Sequence, residues 1–161
     1  METDVILRAY ARIGELTPLS FDCGQMCGKA CCAPDEDGQG GMYLFPGEEG
    51  LFAGENWCHI LPGSIPPILV CDAPCPREKR PLACRIFPAT PYFSKGVWTV
   101  RMDARARAVC PLSSGGIRGL SRDFAYAARD AMRIIAADPQ GESFLKWWQE
   151  REEEYRVSPL G

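Results

Sequence analysis

The chain has 161 residues, 46% hydrophobic and 10% aromatic, which is enough apolar side chain for a real core and argues against wholesale disorder. A net charge of −3 gives no general attraction to nucleic acid or to an anionic membrane, so neither is expected as a partner. The longest apolar runs are broken by Pro62, Pro66 and Pro67, and none nears the ~20 residues that cross a bilayer.

The N-terminal stretch is amphipathic. Val5, Ile6, Ala9 and Ile13 recur at helical spacing over residues 4–16, with Thr3 as the cap and Pro18 as the stop. It carries acids and lacks the basic segment and apolar run of a secretory signal, so a cytoplasmic protein is expected. Next comes FDCGQMCGKACC, residues 21–32, with Cys23, Cys27, Cys31 and Cys32. On a regular helix Cys23, Cys27 and Cys31 would share a face. Gly24 and Gly28 instead point to a tight irregular coil. Because Cys31 and Cys32 are adjacent, their side chains are expected to diverge, which suggests two metal centres or one ligand plus one spare thiol.

Residues 34–41 read as a solvated loop, since Asp35-Glu36-Asp37-Gly38 lacks the alternating ligands of a calcium loop. Short strands are expected at 42–45 and 57–61, a short helix at 46–52, a turn at 62–67 and an apolar run at 68–70. Leu82–Ile86 fits a single helical turn. Residues 89–93 and 97–101 read as paired strands across Ser94-Lys95-Gly96. Ser121 is placed to cap a helix running to about Ala137, ended by Asp138-Pro139, and a second helix is expected over about 141–155. The expected fold is α+β: one domain over 1–161, with a small loop-rich core of short strands that binds metal. An N-terminal helix and two C-terminal helices, about 115–157, would support that core.

The chain holds nine cysteines: Cys23, Cys27, Cys31, Cys32, Cys58, Cys71, Cys75, Cys84 and Cys110. In a reducing compartment clustered thiols more often bind metal than form disulfides, and an odd number argues against complete pairing. Thiolate is a soft ligand suited to zinc or to iron in iron–sulfur clusters. Four thiolates around Zn²⁺ leave about −2 of charge, which nearby cations can balance. Lys29, Arg77, Lys79, Arg80, Arg85, Arg101, Arg105 and Arg107 are available, and Arg80 and Arg85 bracket Cys84. With a single histidine and no C-x2-C knuckle, the common zinc-finger patterns do not fit.

The CxxxCGxxCC run, CHIL at Cys58, the segment CPREKRPLACRIFP from Cys75 and CP at Cys110 together resemble the YkgJ-like cysteine-cluster family, described as zinc- or iron-chelating. The first gaps are one residue longer than the family's CxxCxxCC, and Cys71 has no obvious counterpart. The resemblance implies metal ligands at Cys23, Cys27, Cys31, Cys32, Cys58, Cys75, Cys84 and Cys110, with zinc, iron or an iron–sulfur cluster as cofactor. Arg80 and Arg85 are expected beside the thiolates.

Three functional readings follow. The first is a metal-binding protein that holds zinc or iron. The second is an iron–sulfur redox enzyme or a methyltransferase-like enzyme, to which Tyr43, Glu55, His59 and Asp103 could contribute, with His59 as a general base. The third is a zinc-stabilised adaptor whose contact surface is the arginines between Arg101 and Arg122.

Overall fold

In the computed structural model, residues 1–33 and 40–157 are described; the acidic loop at 34–39 lies outside them. The fold is α+β, with helices wrapped around two small antiparallel sheets.

Helix α1 (Thr3–Ile13) buries Val5, Ile6, Ala9 and Ile13 on one face. Thr3 is its first helical residue, Glu2 holds the cap position, and no side chain caps the end. That face packs on a later helix, α5 (Arg122–Ala136), which buries Phe124, Ala127, Ala128, Ala131, Met132 and Ile135. Small alanines at the seam let the two backbones approach. The larger side chains fill the remaining space, each worth ~1.5–3 kcal/mol when fully buried.

The last helix, α6 (Pro139–Val157), begins two residues earlier than the sequence pattern suggested. Pro139 does not merely end α5. It opens α6, where its fixed φ and missing N–H are tolerated, and the Asp138 carboxylate accepts the N–H groups of Gln140 and Gly141. Gly141 is required there, because a Cβ would lie 2.2 Å from the Ile135 carbonyl.

Strands β4 (Ala89–Ser94) and β5 (Val97–Met102) form a hairpin packed on α5 and α6. Ser94 pairs with Val97, so the turn is the two residues Lys95-Gly96, both at positive φ. The other sheet has three short strands in the order β1 (Met42–Tyr43), β3 (Ile68–Cys71), β2 (Cys58–Ile60). It covers a second apolar cluster of Leu44, Phe52, Trp57, Cys58 and Leu69. The segment expected as a helix at 46–52 is a turn followed by the 3-10 helix Glu49–Phe52.

The remaining short elements carry the thiols. Helix α2 (Gly24–Cys27) stops at Gly28, and Gly28 and Lys29 are consecutive left-handed residues. A 3-10 turn, Ala30–Cys32, follows. Helix α3 is Leu82–Ile86, as its spacing predicts, and α4 (Ala106–Val109) leads into Cys110. No helix among the described residues is long and apolar enough to cross a membrane.

Candidate metal centre

The break at Gly28-Lys29 decides how the first four thiols are presented. An unbroken helix would have lined up Cys23, Cys27 and Cys31; the two left-handed residues turn the chain back, so Cys31 and Cys32 approach from a separate turn. Cys23, Cys27, Cys31, Cys32, Cys84 and Cys110 then line one narrow cavity of about 80 Å³. Six of the nine thiols, from three stretches of chain, thus face one space. Its apolar wall includes Met26, Phe87 and Val109.

Contrary to the divergence expected of neighbours in sequence, the Cys31 and Cys32 thiols line the same two cavities and lie close enough to shift one another's ionisation. The tight 3-10 turn brings both side chains to one side. Their mutual interaction draws Cys32 down to about 6 and pushes Cys31 up. A second such pair is Cys71 with Cys75: the two thiols line one cavity and shift one another's ionisation, and the Cys75 thiol donates to the Pro76 carbonyl at 3.4 Å. The interaction of the two thiols lowers Cys71 and raises Cys75. Burial, reinforced by the charges of Cys32 and Cys71, pushes Cys84 up.

Cys71 and Cys75 share a cavity of about 210 Å³ with Cys32, Lys29 and Arg80. A larger cavity, about 780 Å³, is lined in part by Cys31, Cys32, Cys71 and Cys84, and also by His59, Asp72 and Arg105. Cys58 lines none of the three. It pairs in register with Cys71 across β2 and β3 but is buried in the second apolar cluster, with Cys75 packed against that cluster. Burial raises its thiol.

The arginines flanking Cys84 have different surroundings. Arg85 donates to the carbonyls of Arg80, Gly14 and Glu78 and stacks over the Tyr10 ring at 4.7 Å, so its donors are committed to holding backbone. Arg80 has a buried Nε–H with no acceptor among the described residues. Its positive charge is felt at Cys23, Cys32, Cys71, Cys75 and Cys84. Several other cations are occupied: Arg77 by Asp22 and Glu15, Lys79 by Glu55, Arg101 by Glu152, Arg105 by Asp103.

The polar residues considered for catalysis also have partners. Glu55 accepts from Lys79 and Trp57, Asp103 from Arg105, and Tyr43 packs edge-on against Trp147. His59 Nδ1 lies 2.8 and 2.9 Å from the two Asp72 carboxylate oxygens, a pairing between residues thirteen apart that spacing did not disclose. Glu48 was also missed. It is wholly buried beside α3, and its only sequence signal, two acids after Pro46, reads equally well as a helix start.

Among the described residues, no three His, Cys, Asp or Glu side chains already stand as a ligand set for one ion. The donor chemistry still fits a soft metal: thiols that share cavities, with a guanidinium N–H beside them that is buried and without a partner among the described residues. Compared with family models, with curated proteins and with solved structures, the chain matches none.

Proposed function

We propose that this protein binds zinc, or iron as an iron–sulfur centre, through its cysteine cluster, in the manner of the YkgJ-like proteins its motifs resemble. One observation carries the reading: Cys23, Cys27, Cys31, Cys32, Cys84 and Cys110 line a single cavity. Isolated core cysteines act as small hydrophobes and have no reason to converge. We place the protein in the cytoplasm, where a reducing environment would keep its nine cysteines available as ligands. Zinc would cross-link the segments that carry its ligands, and an iron–sulfur centre would in addition carry electrons. Ligand thiols must be deprotonated and held together, so metal binding would be linked both to pH and to the stability of the fold.

A second reading is an enzyme that uses the centre for redox or methyl-transfer chemistry. It is favoured by the cavity of about 780 Å³, which falls in the ~300–1,000 Å³ range of small-molecule sites. The adaptor reading keeps part of its surface: Arg101 and Arg105 are bound inside the fold, while Arg107, Arg118 and Arg122 are exposed.

The test is elemental analysis and an absorption spectrum of protein purified without oxygen, beside Cys84→Ser. Stoichiometric zinc in a colourless protein, or iron with sulfide in a brown one, supports the proposal, and Cys84→Ser should then lose metal. Metal-free protein with a full cooperative unfolding transition overturns it.

A further inference from the structure

We propose that the thiols divide into two metal centres, and that Cys71 belongs to the second, with Cys32, Cys75 and Cys84, as a site for a soft divalent cation such as zinc. The proposal rests on the metal-binding reading above.

The division follows from which thiols share space. Cys23, Cys27 and Cys110 line the narrow cavity and neither of the others. Cys71 and Cys75 do the reverse, sharing the cavity of about 210 Å³ with Cys32. Cys84 meets Cys32 and Cys71 at the wall of the large cavity. Cys31 completes the first set, beside Cys27. Cys31 and Cys32 then form the border between the sets: both line the narrow and the large cavities, and Cys32 alone of the two reaches the cavity of Cys71 and Cys75.

The connection between Cys71 and Cys75 suits a chelating loop. Cys71 ends β3, and residues 72–75 form a short turn anchored where the Asp72 and Ala73 N–H groups donate to the Trp57 carbonyl, at 2.9 and 3.1 Å. That turn brings the two thiols to the wall of one cavity across three intervening residues.

Charge favours the same place. A divalent ion among four thiolates carries about −2. Lys29 and Arg80 both line the cavity that holds Cys32, Cys71 and Cys75, as they do the narrow one, and their two positive charges are offset in part by Asp72 on the same wall. Among the described residues the buried Arg80 Nε–H has no acceptor, and a thiolate sulfur is a group that would satisfy it. Lys29 sits there in a left-handed conformation that a non-glycine residue rarely adopts, at φ 61°. Eight thiols are thereby assigned, and the ninth is Cys58, whose place is the apolar cluster under β2 and β3.

The experiment titrates metal-free protein with cobalt(II) and then zinc(II) under argon, following the thiolate-to-cobalt charge-transfer band and the protein-bound metal. Wild type should bind two equivalents, each with a shell of about four sulfurs at ~2.3 Å by X-ray absorption of the zinc form. Cys71→Ser and Cys27→Ser should each bind one, and the double variant none. Wild type binding one equivalent overturns the division, as does Cys71→Ser binding two. The wild-type count decides the matter even if a variant fails to fold. Wild type binding no metal removes the metal reading itself, an outcome distinct from binding one.

Discussion

Tyr10 donates its hydroxyl to Oε1 of Glu48, and the same oxygen accepts the backbone N–H of Leu82 at 2.7 Å. Leu82 is the first residue of α3, the helix that carries Cys84, so one buried carboxylate ties the N-terminal helix to the thiol cluster. Its other oxygen accepts the Phe45 N–H at 2.8 Å. Replacing Glu48 by alanine leaves three donors without an acceptor in a buried site. Each such loss costs ~1–3 kcal/mol, and the total expected is on the order of 3 kcal/mol or more. Chemical denaturation of Glu48→Ala beside wild type measures it; a difference below about 1 kcal/mol would show that Glu48 is not the tie described.

The same carboxylate makes stability depend on pH. Burial pushes Glu48 up to about 7 from 4.5, against the pull of its three hydrogen bonds. A carboxyl raised in the folded state stabilises the fold below its unfolded value, and that stability is lost as pH rises to the folded value. Metal-free protein should therefore weaken between pH 4.5 and 7 by on the order of 3 kcal/mol from this group. Glu48→Gln, which cannot ionise, should be flatter over the same window. Parallel pH profiles for the two proteins would count against the assignment.

Much of the scaffold could be read from spacing, because α1, α3, α5 and the β4–β5 hairpin are set by local periodicity and turn chemistry. The site could be read only as a list of thiols. Whether Cys31 and Cys32 diverge or converge depends on two left-handed residues just before them, and Lys29 gives no such signal. Arg80 and Arg85 are indistinguishable as neighbours of Cys84. They are told apart by distant partners, since Arg85 is held by Gly14 and Tyr10, about seventy residues away. The His59–Asp72 pair and the withdrawal of Cys58 into an apolar cluster depend likewise on the β2–β3 pairing.

The C-terminal helix is expected to support the site without binding metal, and Glu152 tests this. Its buried carboxylate accepts the Ala104 N–H at 2.9 Å and pairs with Arg156 at 2.7 Å and with Arg101. Burial alone would raise its pKa, but these partners outweigh it and hold it below the usual glutamate value. Glu152→Ala removes the acceptor that two partly buried arginines share, leaving Arg101 with Glu153 and Arg156 with the Met102 carbonyl, and also frees the Ala104 N–H, a loss on the order of 3 kcal/mol. Thermal unfolding should show this loss while metal bound per folded molecule stays at the wild-type value. A drop in stoichiometry would mean that α6 shapes the ligand set directly.

Arg80 offers the sharpest separation between a supporting cation and an ordinary surface charge. Its side chain borders both thiol cavities, and its buried Nε–H has no acceptor among the described residues. If it donates to a thiolate when metal is bound, Arg80→Gln removes both the positive charge and the guanidinium Nε–H from beside Cys32, Cys71 and Cys84. Groups of this kind typically change metal affinity 10–100-fold. Competition against a chromophoric chelator should show a loss of that size for Arg80→Gln, and a smaller one for Arg80→Lys, which keeps the charge but not the planar fork. Arg77→Gln, whose guanidinium is already paired with Asp22, should bind metal within about threefold of wild type by the same contrast. Equal losses for Arg80→Gln and Arg77→Gln would reduce Arg80 to one charge among several.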